Sequence, residues 1–299
     1  MSTALAPGYR GVLTALRIFR ATVPKPSEML QARSKTSDWI ARHRLPLSGR
    51  AAQEEVPGWR KFSTGPDSGS HLFYLHGGGL VFYSVEDFSS LMEHFAIAGD
   101  CEVTAFHYPK APEHTTGEIV DALAARIEQR LTEIPSDRQI VFSGDSIGGY
   151  IALYMALRRF PRRFTRLILI YPVLDLSTQR PSYGSYGRGY CLNAEMMSWF
   201  QSLWHAHHRR EFTPFSLNAS DRANLPLTTV ISAEADVLRD EAFDWCEYLR
   251  ASGLTVEHHH MPNLAHDFCL YAGTIPEAYA AVDLIACQLR LAPLPQQGA

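Results

Sequence analysis

Residues 141–150 read VFSGDSIGGY, an apolar run that ends on a serine with a glycine two positions away on either side. Gly144, Ser146 and Gly148 fit the pattern GxSxG, with the strand-like segment QIVFS before it and the helix-like segment IGGYIALYMALRR after it. A strand that turns sharply into a helix holds the serine in a strained conformation with an exposed hydroxyl, and glycines on both sides avoid a clash. This context favours a nucleophilic Ser146 over a plain glycine-rich turn.

Strand-like and helix-like segments alternate along the chain from residue 71 onward. The strand candidates are 71–75, 102–108, 139–143, 166–171, 227–232 and 254–260, and the helix candidates are 86–98, 117–133, 147–159, 238–252 and 276–290. Because such alternation produces a mostly parallel central sheet with helices on both faces, the pattern predicts an α/β fold.

Two parts of the chain do not follow this alternation. Residues 1–50 hold two helix-like patterns around VPKPSE, and the interval at about 177–222 holds a loop-like stretch followed by NAEMMSWFQSLWHAHHRR. We expect 1–50 to form N-terminal cap helices and 51–299 to form the main domain, with the insertion at 177–222 completing a helical cap. The first helix is also basic and amphipathic, so a membrane-surface helix is a less favoured alternative.

Composition excludes several classes of protein. The chain has 299 residues, 46% of them hydrophobic and 20% charged, with a net charge of −3, which argues against nucleic-acid binding. Its five cysteines are irregularly spaced and form no CxxC pair, so we expect reduced thiols, no disulfide framework and no thiolate metal site. The sequence shows neither a signal-peptide pattern nor a run of eighteen apolar residues, and we expect a cytoplasmic protein without stable membrane insertion.

A run of three glycines follows the strand candidate 71–75. The segment His76-Gly77-Gly78-Gly79 lets the backbone approach a ligand closely and aim successive N–H groups at one oxygen. A phosphate-binding loop is the competing interpretation, but the segment has neither a Walker lysine nor GxGxxG spacing.

A serine nucleophile needs a base, and the base needs a carboxylate that orients it. Where the nucleophile stands at such a strand-to-helix turn, the acid is expected after a strand downstream of the serine, and the histidine last. The segment after strand 227–232 offers four carboxylates, at Glu234, Asp236, Asp240 and Glu241. The last two suit the first turn of the following helix, where negative charge is favoured. His266 stands alone in the loop NLAHDF after the last strand candidate.

Two other groups of histidines are weaker candidates. His258, His259 and His260 lie in a strand-like run, where side chains alternate between faces and three neighbours cannot all bind one ion. In the insertion, His205 and His208 would share a helix face, with His207 beside them, but no HExxH motif is present. Neither group is predicted to be functional.

The motifs HGGG at 76–79, YPKAPEH at 108–114 and GDSIGG at 144–149 occur in one order that resembles the hormone-sensitive-lipase-like branch of the α/β-hydrolase fold. The resemblance covers roughly residues 56–290, and those enzymes are serine carboxylesterases and lipases. It implies that His76 and the APEH stretch support loops, and that no metal or cofactor is needed. It assigns a catalytic triad of Ser146, Asp236 and His266, and oxyanion-hole donors at the backbone N–H groups of Gly78, Gly79 and Ile147.

Three residues depart from the usual pattern of that family. Ile147 stands where alanine is common, which would narrow the site beside the nucleophile. His107 replaces the aspartate of DYRLAPEH, a change that we expect to alter local packing. Asp267 follows His266 where HGF is usual, and a carboxylate there would raise the imidazole pKa or compete for its N–H.

Aromatic residues are dense in the insertion and predict a mostly apolar pocket, although a helix packed on its own core would look the same. The candidate pocket residues are Leu80, Tyr183, Tyr186, Trp199 and Trp204. We expect hydrolysis of short- to medium-chain esters or lactones. An acyltransferase of a biosynthetic pathway and a non-catalytic small-molecule receptor of the same fold are the alternatives. The last helix and the strand 254–260 are candidate surfaces of a homodimer.

Overall fold

The computed structural model describes residues 5–19, 23–65, 70–135, 138–204 and 212–290, without side chains for 15–19. Its centre is one eight-stranded sheet. The strands are β1 (Ala52–Val56), β2 (Trp59–Ser63), β3 (Ser70–Leu75), β4 (Cys101–Phe106), β5 (Ile140–Asp145), β6 (Arg166–Ile170), β7 (Leu227–Ala235) and β8 (Val256–Ala265). Their order is β1-β2-β4-β3-β5-β6-β7-β8. The pairs β1–β2 and β2–β4 are antiparallel, and all the others are parallel.

Ten α-helices lie in the described part of the chain. They are α1 (Tyr9–Phe19), α2 (Met29–Ala41), α3 (Val85–Gly99), α4 (Thr116–Glu133), α5 (Ile147–Tyr154), α6 (Pro181–Tyr186), α7 (Ala194–Trp204), α8 (Ala219–Asn224), α9 (Arg239–Ala251) and α10 (Pro276–Arg290). All the strand and helix candidates from residue 71 onward are present. The candidate 147–159 differs in one respect, because α5 ends at Tyr154 and the chain continues as a π-helical turn over Met155–Arg159.

The sheet separates two apolar cores, and the alternation of side chains along a strand explains the division. In β3, Phe73 and Leu75 belong to the core that also contains residues of α4, α5 and α9. Leu72 and Tyr74 of the same strand belong to the other core, with residues of α1, α3 and α10. The predicted sheet with helices on both faces is therefore confirmed.

The two segments outside the alternation also pack on these cores. In the N-terminal segment, Tyr9 and Val12 of α1 are buried against the core that contains α3 and α10. The insertion supplies α6, α7 and α8, and α7 joins the other core through Phe200 and Trp204. The histidines of the insertion, His205, His207 and His208, lie outside the described residues. No helix in the described ranges is long and apolar enough to span a membrane.

Candidate active site

Ser146 stands at the turn between β5 and α5, and its backbone has φ 54° and ψ −122°, a conformation that non-glycine residues rarely adopt. Its N–H donates to the carbonyl of Ile170 at 2.9 Å, so the neighbouring strand supports the strained turn. The flanking glycines are required for space. A Cβ on Gly148 would lie 2.1 Å from the carbonyl oxygen of Leu75, and one on Gly144 would lie 2.4 Å from the backbone of Gly148.

Two further strand ends bring an acid and an imidazole to this serine. Asp236 follows β7, and His266 follows β8. The Nδ1 atom of His266 lies 2.6 Å from Oδ2 of Asp236, and its Nε2 atom lies 3.2 Å from Oγ of Ser146. Since a carboxylate only accepts, Nδ1–H donates to Asp236. The Nε2 atom is the ring nitrogen that faces the hydroxyl of Ser146. The predicted acid Asp236, base His266 and nucleophile Ser146 thus form a continuous chain of contacts.

This group is almost closed to solvent. Ser146, Asp236 and His266 expose 6%, 1% and 2% of their surfaces, respectively. Burial alone would lower the pKa of His266, but the carboxylates of Asp236 and Asp267 outweigh it and raise that pKa to about 9. The Leu238 N–H holds the other oxygen of Asp236 at 2.9 Å, which fixes the carboxylate against the ring.

Residues 76–83, called here the glycine loop, pass beside Ser146. Gly78 and Gly79 have φ values of 92° and 66°, in the region that favours glycine. The carbonyl of Gly77 lies 2.8 Å from Nδ1 of His76, and that of Gly78 accepts from two later N–H groups of the loop. Because C=O and N–H of one trans peptide point in opposite directions, the N–H groups of Gly78 and Gly79 point away from these partners. Ile147 is the first residue of α5, so its N–H has no acceptor within the helix.

Sequence reasoning did not identify the role of Asp145. This buried carboxylate accepts from the Gly77 N–H at 2.9 Å and from the Tyr74 hydroxyl at 2.8 Å, and so ties the glycine loop to β5. Burial raises its pKa to about 7, although the hydrogen bond from Tyr74 opposes the shift. The available signal was an acidic residue at the end of a mostly apolar strand that is expected to be buried, where a charge needs a partner.

His76 and the APEH stretch at 111–114 are expected to support loops; His76 contacts Tyr108, and the N–H of Ala111 donates to the carbonyl of Leu80 in the glycine loop at 2.9 Å. The imidazole of His76 stacks on the ring of Tyr108 with centroids 4.3 Å apart, and the Tyr108 hydroxyl donates to the carbonyl of His76 at 2.8 Å. His107 instead lies at the sheet edge, where its Nε2 is 2.7 Å from a carboxylate oxygen of Glu55. Its contact with the edge strand is consistent with a change in local packing.

The insertion helix α7 contacts the glycine loop directly, which the sequence did not reveal. The indole N–H of Trp204 donates to the carbonyl of Gly79 at 2.9 Å. The ring of Phe200 lies over the same glycine, where an added Cβ would be 2.4–2.6 Å from its atoms. The position of the loop therefore depends on a helix about 120 residues further along the chain.

Comparison with known proteins identifies the fold family. A family described as alpha/beta hydrolase fold matches residues 72–270. The chain belongs to the α/β-hydrolase fold family. The ethyl acetate hydrolase of Pseudomonas putida is 31% identical to it over 221 residues, which are 71% of this chain and 70% of that protein. Esterase LipI of Mycobacterium tuberculosis is 29% identical over 231 residues, which are 74% of this chain and 72% of that protein.

Solved structures show the same fold. A hyperthermophilic esterase from the archaeon Pyrobaculum calidifontis has a TM-score of 0.81 over 96% of this chain and 98% of its own, at 24% identity. A thermostable esterase from Pseudomonas putida ECU1011 has a TM-score of 0.84 over 99% of this chain and 100% of its own, at 22% identity. The predicted fold and family resemblance are confirmed, and this α/β-hydrolase is a carboxylesterase-like enzyme.

This α/β-hydrolase has an apolar cavity of about 10 Å³, which is room for one water molecule, and Ile147, the residue after Ser146, is part of its wall. Its lining consists of Leu80, Thr116, Val120, Ile147, Tyr150, Ile151, Tyr154, Leu176 and Trp204. Two predicted pocket residues, Leu80 and Trp204, are among them. Tyr183, Tyr186 and Trp199 are not: Tyr186 donates to Glu234, and Trp199 packs on Phe82 and Phe200.

The remaining acidic and histidine candidates have other partners. Glu241 accepts from the N–H of Leu174, Asp240 from that of Ser182, and Glu234 from the hydroxyl of Tyr186. His258 and His260 share the Ser232 hydroxyl at 2.8 and 3.0 Å, as residues on one face of β8.

One group of potential metal ligands occurs in the described part of the chain, namely Glu55, Glu86 and His107. Arg60 forms ion pairs with Glu55 at 2.6 Å and with Glu86 at 2.7 Å. Because this guanidinium already pairs with both carboxylates, the group is better described as an ion-pair network than as a metal site.

Proposed function

We propose that this α/β-hydrolase is a serine carboxylic-ester hydrolase in which Ser146, His266 and Asp236 form the catalytic triad. The observation that supports the proposal is the unbroken contact from the carboxylate through the imidazole to the hydroxyl, with lengths of 2.6 and 3.2 Å. Nucleophile, base and orienting acid in that order are the requirement for acyl transfer through a covalent intermediate.

In the proposed reaction, Nε2 of His266 takes the proton of Ser146 while Oγ attacks the ester carbonyl. The N–H groups of Gly78, Gly79 and Ile147 hold the resulting oxyanion, and the imidazolium then gives its proton to the leaving alcohol. Water activated by the same imidazole attacks the acyl-enzyme and releases the acid. In this proposal residues 1–50 and about 177–222 cover the site as a cap.

The apolar cavity lined by Ile147, the residue after Ser146, supports short acyl groups as substrates. It has a volume of about 10 Å³ and is bounded by the side chains of Ile147 and Trp204. A long acyl chain would enter this cavity only if both side chains moved. An acetyl or propionyl group has only one or two carbons beyond its carbonyl and needs much less space. We therefore propose esters or lactones with short acyl chains, and expect the rate to fall as the chain approaches medium length.

The test compares hydrolysis of p-nitrophenyl acetate, butyrate, hexanoate and decanoate by the wild-type protein and by Ser146→Ala. Loss of a serine nucleophile lowers kcat by about 10⁶-fold in a well-studied serine hydrolase, so we expect a loss of at least about 10³-fold. A fluorophosphonate probe should label the wild type on the peptide that contains Ser146 and should not label the variant.

Equal rates in the two proteins, or labelling of a different serine, would reject the assignment of the nucleophile. A rate that rises steadily from acetate to decanoate would reject the short-chain proposal while leaving the triad intact. Circular dichroism spectra of both proteins serve as the control for folding.

A further inference from the structure

The residue after the proposed base is an aspartate in a strained backbone conformation. Asp267 has φ 61°, the left-handed region in which side chains other than Asn, Asp and glycine are disfavoured. Its carboxylate reaches two groups of the site. Oδ1 lies 3.6 Å from Nε2 of His266, and Oδ2 accepts from the Tyr83 hydroxyl at 3.1 Å. This backbone conformation places a second carboxylate near Nε2, the imidazole nitrogen that faces Ser146.

The imidazole of His266 thus lies between two carboxylates. Asp236 contacts Nδ1 at 2.6 Å, and Asp267 lies near Nε2, which also faces Ser146 at 3.2 Å. A protonated ring is attracted by both carboxylates, whereas the Ser146 hydroxyl can donate to Nε2 or accept from it and so favours neither form. The arrangement therefore favours the imidazolium form before substrate binds.

Other titratable groups around His266 do not offset this effect. Burial raises the pKa of the tyrosine and cysteine groups, which keeps them uncharged near neutral pH, and the pKa of Asp145 is about 7. Asp236, Asp267, Asp145 and Tyr171 interact with the imidazole itself, and Tyr83 and Cys191 interact with the carboxylates beside it. Each of them is either anionic or neutral, so their charges favour the protonated ring.

We propose that Asp267 is a positioning residue that holds His266 in its protonated form in the free enzyme and thereby confines ester hydrolysis to alkaline pH. The inference rests on the proposed function, because it concerns the base of the same triad. A base that must lose a proton before it can act gives a rate that rises with pH up to the titration of the imidazole. The same carboxylate stabilises the imidazolium that forms during acyl transfer, so the imidazole is a stronger base once it is deprotonated.

The Asp267→Asn variant removes the charge and keeps the shape, and asparagine tolerates the left-handed conformation. An opposite charge within about 4–6 Å typically moves a titration by about one to three pH units. In kcat/KM for p-nitrophenyl acetate between pH 5 and 10.5, we expect the acid-side midpoint to fall by at least about one pH unit. At pH 6 the variant should then retain about tenfold more of its own plateau rate than the wild type.

Two further variants separate charge from packing. Asp267→Gly removes the charge and the backbone strain together, and should show the same fall in midpoint even where the asparagine variant folds poorly. Tyr83→Phe removes the hydrogen bond to Oδ2 but leaves the charge, so its midpoint should stay close to that of the wild type. A shift in Tyr83→Phe as large as in Asp267→Asn would overturn the proposal, because loop packing would then set the titration.

A measurement without turnover separates this inference from the proposed function. The imidazole of His266 is titrated by NMR in the Ser146→Ala protein, with and without Asp267→Asn. We expect the midpoint to lie well above the ordinary range with Asp267 present and to fall by at least about one pH unit without it. Equal midpoints would sink the role of Asp267 even if Ser146 proves essential. Conversely, hydrolysis that survives in Ser146→Ala would reject the proposed function and leave the titration result standing.

Discussion

Backbone strain in this protein is concentrated at individual residues of the site. In the described chain, seven residues other than glycine have positive φ: Leu80, Tyr83, Asp100, Ser146, Arg162, Tyr171 and Asp267. Five of these seven, all except Asp100 and Arg162, belong to the glycine loop, the serine turn or the surroundings of the imidazole. Such conformations cost about 1–3 kcal/mol each and persist where the surrounding structure fixes them. The surrounding structure therefore holds these residues of the site in place before substrate arrives.

The buried carboxylate of Asp145 should make the free energy of unfolding depend on pH. Its pKa is about 7 in the folded protein, above the ordinary value near 4, so the folded state binds the additional proton between these values. Stability from this group is therefore present at low pH and is lost as pH rises from about 4 to 7. In Asp145→Asn this loss is absent, and the variant should gain about 2 kcal/mol relative to wild type between pH 5 and 8.

Urea unfolding at pH 5, 6, 7 and 8 measures this difference. Asp121→Asn is the matched control, because that carboxylate is 72% exposed and its variant should track the wild type at every pH. A constant offset between Asp145→Asn and wild type across the range would show that Asp145 is ionised throughout.

The sequence predicted the residues with a local signature and missed those that act through distant contacts. Ser146 is marked by its glycines and His266 by its isolation in a loop. By contrast, nothing near Tyr83 or Trp204 in the sequence indicates that one reaches Asp267 and the other reaches Gly79. These contacts depend on how loops and the insertion pack on the sheet, which a local pattern does not contain.

At the scale of elements, the lengths of β7 and β8 determine where the acid and the base stand. The apolar pattern predicted strands that end at residues 232 and 260, but the two strands extend to Ala235 and Ala265. Glu234 in one strand and Pro262 in the other conceal the extension in the sequence. Pairing of Ala235 with Ala265 across the two strands stabilises it and brings Asp236 and His266 side by side. Tertiary pairing here outweighs local preference.

Helix α7 should position the glycine loop through one hydrogen bond. In Trp204→Phe an aromatic ring remains, but the carbonyl of Gly79 loses its indole donor in a buried place. An unsatisfied buried acceptor costs about 1–3 kcal/mol, so we expect a loss of stability in that range. We also expect kcat for p-nitrophenyl butyrate to fall by about tenfold or more, because the loss of one oxyanion donor costs about 10²–10³ and here a donor is only displaced.

Trp199→Phe is the matched control for this prediction. Trp199 lies on the same helix and packs on Phe82 and Phe200, without a hydrogen bond from its indole in the described structure. The same chemical change there should leave kcat within about twofold, since a phenyl ring keeps most of the packing. Equal effects of the two variants on kcat would mean that ring volume, and not the bond to Gly79, positions the loop.

At the scale of the whole molecule, the N-terminal segment is part of the structure that supports the site. Its helix α1 contributes Tyr9 and Val12 to one of the two cores. Its helix α2 contributes Met29 to the other core and Ile40 to the same core as α1. The segment therefore packs on both cores, and damage to it should reach the catalytic group through packing.

Arg33 of α2 is the residue through which this effect can be measured. Its guanidinium donates to the carbonyls of Val81, in the glycine loop, and Ala111, each at 2.8 Å, and also pairs with Glu113. In Arg33→Ala both carbonyls lose a charged donor, which should cost about 2 kcal/mol or more in unfolding free energy and lower kcat by about tenfold. Arg33→Lys should restore only part of this, because an ammonium lacks the planar fork that reaches two acceptors.

Glu113→Gln removes only an exposed ion pair and should change stability by less than about 1 kcal/mol with kcat unaltered. If Glu113→Gln matched Arg33→Ala in kcat, the ion pair would be the important contact and the link from α2 to the glycine loop would be disproved.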